Sequence, residues 1–177
     1  LVLLDFAAAF PSIRQGYLQC ALTASGADEW LANFVKEIYR DLRAEDPQPA
    51  EGRNGAKGYK CTRGVAQGCP LSGALFVVAI EPLLMEISRS KYVIITKAFA
   101  DDVAVIVKGI EGVRDLERIF HEFQLVSGLE LNGSKCIAIP LCATPAGRAA
   151  DAMVLRSEFA LFTGQLARCQ IEGAARY

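Results

Sequence analysis

Two β-rich runs, Tyr92–Phe99 and Val103–Val107, are separated only by Ala100-Asp101-Asp102. A connection that short joins antiparallel neighbours, so the chain must contain a hairpin with two acids at its tip. A parallel pair needs a crossover of a dozen residues or more, which this spacing excludes. The hairpin therefore points to a sheet that is at least partly antiparallel. A third apolar run, Leu1–Leu4, reads as a buried strand ending in another acid, Asp5.

Helical patterns surround these strands. Pro11-Ser12 offers an N-cap for a helix over Ile13–Ala24, closed by Ser25-Gly26. Asp28 opens a second helix, whose Trp30, Leu31, Phe34, Val35, Ile38 and Leu42 recur at helical spacing and predict one buried face. Residues Ala44–Gly58, with two prolines and three glycines, read as a loop, and a strand follows around Tyr59–Thr62. After the Gly64–Pro70 loop, Leu71–Ser88 reads as a buried helix in which Pro82 implies a kink or a break. Val113, Leu116, Ile119, Phe120, Phe123 and Val126 mark an amphipathic helix ended by Ser127-Gly128, and Cys136–Leu141 is a further strand. An alanine-rich tail follows, with a helix expected over Arg148–Phe162. There is no internal repeat. The order of elements predicts an α+β fold with helices on one face of the sheet.

Composition removes several classes of function. With 52% hydrophobic and 22% charged residues among 177, the chain can bury a core and is not disordered. A net charge of −1 argues against coating nucleic acid by bulk charge, although Arg53, Lys57, Lys60 and Arg63 fall in a stretch, Gly52–Ile80, that has no acid. The uncharged stretch Gly64–Ile80 contains Gln67, Gly68, Pro70 and Ser72 and is a loop entering a helix, not a membrane span. No secretory pattern opens the chain, and the six cysteines contain no C-x-x-C pair, so reduced thiols in an intracellular (nuclear or cytoplasmic) protein are expected.

If the strands ending at Asp5 and at Asp101-Asp102 are neighbours, three carboxylates meet at one sheet edge. Crowded carboxylates repel unless a divalent cation lies between them. Taken singly, an Asp at a strand end is a turn or cap residue, and an Asp-Asp pair a solvated turn.

Together the residues resemble a family. Leu4-Asp5-Phe6-Ala7-Ala8-Ala9-Phe10-Pro11-Ser12-Ile13 resembles the first palm motif of reverse transcriptases, and Arg63-Gly64-Val65-Ala66-Gln67-Gly68-Cys69-Pro70-Leu71-Ser72 the second. Phe99-Ala100-Asp101-Asp102 resembles the third, and Ser127-Gly128-Leu129 with Asn132 and Lys135 the fourth, all in the family's order. The flavour is that of non-LTR (LINE-type) retrotransposons, and the likeness covers about Leu1 to Leu141.

The resemblance implies a polymerase palm, an antiparallel ferredoxin-like sheet with part of the fingers, over residues 1–142. Residues 143–177 would be a tail leading toward a primer grip, which Ala174-Ala175-Arg176-Tyr177 approaches. It implies RNA-directed DNA synthesis with two Mg²⁺ ions, Mn²⁺ being a substitute, on an RNA template with a DNA primer and deoxynucleoside triphosphates. Asp5, Asp101 and Asp102 would be the metal ligands. Phe6, Phe10, Arg63, Gln67 and Gly68 would meet nucleotide or template, with Phe10 excluding a ribose 2′-hydroxyl. Lys135 would lie near the leaving pyrophosphate as a general acid or charge stabiliser.

The match departs from the family at Pro11, where Asp is common, at Phe99, where Tyr is commoner, and at Gly73, where Pro is usual. Fingers, thumb and the remainder of a polyprotein are expected outside the 177 residues, and without fingers and thumb this stretch alone is expected to be inactive. Two other readings use the same residues. One is a retroelement remnant without catalysis, acting as a nucleic-acid-binding or structural domain. The other is a different palm-type enzyme, an RNA-dependent RNA polymerase or a cyclase, against which the bulk of Phe10 and the Gln67–Pro70 loop speak.

Overall fold

In a computed structural model the described residues are 1–44, 59–66, 68–142, 144–159, 166 and 170–171. The hairpin forms as its sequence predicts: β5 (Val93–Phe99) pairs antiparallel with β6 (Asp102–Val107), and Phe99 faces Asp102 across the turn. β1 (Val2–Leu4) lies antiparallel on the other side of β6, with Val2 opposite Val105 and Leu4 opposite Val103. Two short strands complete the sheet, β8 (Ile137–Ala138) antiparallel to β1 and β9 (Gln170–Ile171) parallel to β8. The order across the sheet is β5-β6-β1-β8-β9. β8 is shorter than the Cys136–Leu141 run suggests. Ile139 still exchanges two bonds with Leu1, its N–H donating to Leu1 O at 2.8 Å and its carbonyl accepting the Leu1 amine at 3.0 Å, and Pro140, which has no N–H, then ends the ladder.

Period-two alternation decides what this sheet covers. Val2, Leu4, Val103 and Val105 are buried, while Leu3 and Ala104, one residue out of phase, are only half-buried. The buried set joins side chains of α2 (Gln15–Ala24), α4 (Ser72–Arg89) and α5 (Gly109–Ser127) in one core. Leu18, Ala21 and Leu22 of α2, Leu75, Phe76, Ala79 and Leu83 of α4, and Leu116, Ile119, Phe120 and Phe123 of α5 recur at three- and four-residue spacing, which turns one stripe of each helix inward. Tyr17 ties α2 to α4: its hydroxyl donates to Ala79 O at 2.7 Å, and burial pushes the phenol up to about 12. α4 runs through Pro82 without a break.

Two helix expectations need correction. The predicted Ile13–Ala24 helix is split into α1 (Ala9–Ser12) and α2, with Ile13 in an extended conformation between them. Ile13 is fully buried and its carbonyl accepts Gly64 N–H at 2.7 Å, a bond that a helical Ile13 would direct elsewhere. Pro11-Ser12 therefore belongs to the first short helix and caps nothing that follows. In α3 (Glu29–Arg40) the buried residues are Val35 and Tyr39, whereas Trp30 is 72% exposed and stacks on exposed Phe34 at 5.3 Å. A wide apolar stripe was legible there, but only part of it meets α2. α6 spans Pro145–Phe159, a few residues ahead of its expected limits. β2 (Phe6–Ala7) pairs with β7 (Glu130–Leu131), and β3 (Arg43–Ala44) with β4 (Tyr59–Lys60). The Ala44–Gly58 loop lies, apart from Ala44, outside the described residues.

The end of α4 is fastened to α5 by a polar contact. Ser90 Oγ donates to Asp115 Oδ2 at 2.5 Å, and Arg118 meets Oδ1 at 3.0 Å. The Ser90 hydroxyl, with Arg118 behind it, holds the Asp115 carboxyl below its ordinary 3.8. A carboxyl depressed in the folded state adds stability above its unfolded pKa and loses it as pH falls through the folded value. Ser90→Ala is therefore expected to cost about 1–2 kcal/mol at pH 7, and the deficit should shrink below about pH 4. Urea unfolding at pH 7 and pH 3 checks both parts.

Candidate active site

The site begins with register. One step beyond the last paired residues of β1 and β6, Leu4 and Val103, the chain reaches Asp5 on one strand and Asp102 on the other. The two acids thus leave the sheet at the same edge, with Asp101 beside them in the hairpin turn. That turn is tight because Ala100 adopts φ 52°, a left-handed conformation that costs a non-glycine residue about 1–2 kcal/mol. Ala8, which starts α1 three residues after Asp5, has φ 49° and ψ 54°. Among the described residues these are the two non-glycine positions with positive φ, and they flank the acids on both chain segments. Strain of this kind persists only where the surroundings hold it.

Asp5 is 27% exposed, yet its Oδ1 is buried and accepts no hydrogen bond. The nearest cation is Lys135, with Nζ at 3.7 Å, an ion-pair distance too long for a hydrogen bond. The Asp5 backbone is better satisfied: its carbonyl accepts Asn132 N–H at 2.8 Å and lies 3.9 Å from the Sγ of buried Cys136. Burial pushes the Cys136 thiol upward, so it is an inert wall behind the acid. The strand ends bring Asp5, Asp101 and Asp102 to one edge as expected. Their side chains do not close into a three-ligand cluster; among the described residues no three His, Cys, Asp or Glu side chains do. Mutual repulsion favours separation, and Asp5 turns to Lys135.

The aromatic residues separate into two kinds. Phe10 is half-buried and stacks on the buried Phe76 of α4, ring centroids 4.8 Å apart and planes 22° apart, which fixes its ring. Phe6, expected at the nucleotide, is instead a core side chain, 6.0 Å from Phe120. Only its peptide groups remain for a ligand. Phe99 is 84% exposed and, with Leu3, Lys97, Asp102 and Ala104, lines a shallow hollow of about 320 Å³ on the sheet face that α2, α4 and α5 leave open.

The second motif meets the first through the backbone. Val65 N–H donates to Phe10 O at 2.9 Å and Arg63 pairs with Arg14 in a single antiparallel bridge, while within the second motif Ser72 Oγ donates to Ala66 O. Gly64 lies so close to Pro11 that a Cβ on it would be 2.6 Å from Pro11 Cα. Arg63 is exposed, and Gly68, at φ 89°, is exposed with nothing near the position of a Cβ. Gln67 lies outside the described residues, as do Arg53 and Lys57 of the basic stretch. Lys60 faces Asp41 at 3.6 Å.

The fourth motif joins the same place. Arg14 N–H donates to Ser127 O at 2.8 Å, Arg14 Nη1 to Leu125 O at 2.5 Å, and a Cβ on Gly128 would lie 2.7 Å from Ser12 O. Three motifs far apart in the chain are therefore clasped around residues 10–14. Sequence reasoning missed Arg14 and Ser127 as members of this clasp. Its available signals were Gly64 and Gly128, glycines inside motifs where close backbone approach is the usual reason for a missing side chain.

An acid at the end of a central strand, two acids on the neighbouring hairpin and a glycine-bearing loop clasped beneath them define a polymerase-type palm. Residues 1–144 match the family model described as reverse transcriptase (RNA-dependent DNA polymerase), and the chain belongs to that family. Among curated relatives, it is 29% identical over 152 residues to the retrovirus-related Pol polyprotein from type-2 retrotransposable element R2DM of Drosophila melanogaster, an alignment covering 80% of this chain and 14% of that protein. It is 27% identical over 154 residues to the corresponding polyprotein from type-1 retrotransposable element R2 of Bradysia coprophila, covering 84% of the chain and 17% of that protein. A third relative, the transposon TX1 uncharacterized 149 kDa protein of Xenopus laevis, is 30% identical over 82 residues, 41% of this chain and 6% of that protein. The chain thus spans about a sixth of the length of the first two. Among the described residues no helix is long and apolar enough to cross a membrane.

Proposed function

We propose that this chain is the palm of an RNA-directed DNA polymerase of a non-LTR retroelement, adding deoxynucleotides to a primer 3′-hydroxyl on an RNA template inside a larger intracellular polyprotein. The observation that carries the reading is Asp5: a carboxylate at a strand end, beside Asp101 and Asp102, with a buried oxygen that has no hydrogen bond. An orphaned buried carboxylate oxygen is the donor a hard divalent cation takes, so the residues fit Mg²⁺. Asp5 and Asp101 would hold the cations, with Asp102 as an auxiliary acid. The chemistry supplied when two such ions are bound is a lowered pKa for the primer hydroxyl and neutralised charge on the triphosphate.

The chain's own residues do the rest. Phe10, braced by Phe76, presents a fixed ring where a sugar approaches and excludes a 2′-hydroxyl by volume. Gly68 leaves backbone open to the nucleotide, with Gln67 and Arg63 as further contacts to nucleotide or template. Lys135, beside Asp5, would meet the leaving phosphates. The open sheet face with Lys97 and Phe99 suits the primer–template duplex. Residues 1–142 form the palm core in this reading, and 143–177 an appendage toward the primer grip, whose described parts pack back onto it.

The test is deoxynucleotide incorporation on an RNA template with Mg²⁺ by the chain extended through fingers and thumb. Incorporation that EDTA abolishes is expected, with ribonucleotides strongly disfavoured. Phe10→Ala should improve relative ribonucleotide use by roughly 10- to 100-fold. Equal use of both sugars by the unmodified protein would overturn the reading.

A further inference from the structure

Lys135 stands where a cation belongs. Its Nζ lies 3.7 Å from Asp5 Oδ1, the oxygen that is buried and without a hydrogen bond, while its own side chain is 66% exposed. A carboxylate oxygen withdrawn from water with no donor is costly, and a nearby ammonium offsets part of that cost. The contact is purely Coulombic at this distance, so it can be broken without loss of a directed bond.

The backbone beneath Lys135 is fixed independently of that contact. Asn132 N–H donates to Asp5 O at 2.8 Å, Lys135 N–H to Asn132 O at 2.9 Å, and Gln170 Nε2 to Ser134 O at 2.6 Å. The turn is thus anchored to the acid's own strand on one side and to β9 on the other. A four-carbon stem on a fixed turn can swing its ammonium over several ångströms while the turn stays still.

We propose that Lys135 is the resident counter-ion of Asp5 in the cation-free chain. A divalent cation must displace it, and the displaced ammonium becomes available to the phosphates that arrive with the cation. This deepens the polymerase reading and rests on it. It assigns Lys135 two positions in place of one. A counter-ion that competes for the site lowers the apparent cation affinity by the fraction of chains it occupies. It also supports Asp5 when no cation is present. An ordinary solvated lysine does neither.

Mn²⁺ alone is the probe, with free ion read by electron paramagnetic resonance on the 177-residue chain, its Lys135→Met, Asp5→Asn and Lys97→Met variants, and the Asp5→Asn/Lys135→Met double variant. Lys135→Met is expected to tighten Mn²⁺ binding about 3- to 10-fold. Without Mn²⁺ the same substitution should lower the melting temperature in the parent and leave it unchanged in the Asp5→Asn background. Lys97, on the open sheet face, reports the general effect of removing a positive charge. Equal tightening by Lys97→Met, or unchanged or weaker binding in Lys135→Met, overturns the displacement. If Asp5→Asn weakens Mn²⁺ binding in that case, the metal assignment survives and this inference alone fails. If Asp5→Asn leaves Mn²⁺ binding as it was, both fail together.

Discussion

In the extended polymerase, Asp5→Asn is expected to reduce deoxynucleotide incorporation roughly 10³-fold, the scale of losing one principal charge-stabilising contact at a reacting centre. Asparagine has nearly the same shape, so the Asn132 N–H bond to the residue-5 carbonyl and the β1 register have no reason to change. What changes is the charge on a buried oxygen that has no hydrogen bond. An amide oxygen is a far weaker ligand for a hard cation than a carboxylate. The partner left behind, Lys135, is 66% exposed, so the substitution strands no buried charge and the fold should survive it. Single-turnover incorporation, with circular dichroism and melting on the same protein, separates the two effects. Activity within tenfold of the parent would remove Asp5 from the metal-binding role.

Gly64→Ala should act in the opposite way, on the fold before the chemistry. Gly64 has φ 84°, and a Cβ there would lie 2.6 Å from Pro11 Cα, 2.8 Å from Pro11 O and 2.9 Å from Pro11 C. All three are backbone atoms, so no side-chain rotation relieves the overlap. The left-handed conformation and the forced backbone shift together should cost roughly 2–5 kcal/mol, a large part of the 5–15 kcal/mol typical of a folded domain. Gly73→Ala is the control, since a Cβ at Gly73 in α4 meets nothing within 4 Å. Urea midpoints of the two variants should differ by this amount. Equal midpoints would mean that the Gly64–Pro11 approach is not a constraint on the fold.

What could be read from the sequence was whatever is encoded locally. The hairpin was legible because two β-rich runs leave no room for a crossover, and α2 and α5 end where Ser25-Gly26 and Ser127-Gly128 say they should. The edge shared by Asp5, Asp101 and Asp102 followed once the strands were neighbours. Trp30 and Phe34 misled because helical spacing defines a stripe, while the neighbour that covers it, here α2, is set by tertiary packing. The break at Ile13 was invisible for a related reason: it serves a hydrogen bond to Gly64, 51 residues away in the chain. Lys135 was legible as a motif residue, but its partner was not, because an exposed lysine carries no sequence signal of what it faces.

Pro11 shows how such a structure tolerates unusual residues. It is the third residue of α1, within the first turn, where an N–H has no partner inside the helix, so proline forfeits no bond there. Its neighbours hold the clasp through peptide groups: Phe10 O, Ile13 O, Arg14 N–H and Ser127 O. Those groups are the same whatever side chain the codon specifies. A frame assembled from main chain is indifferent to most substitutions that drift introduces, glycines at points of contact excepted. A sequence can therefore drift at most positions and keep this clasp, and mutational decay of this domain should show first at Gly64 and Gly128.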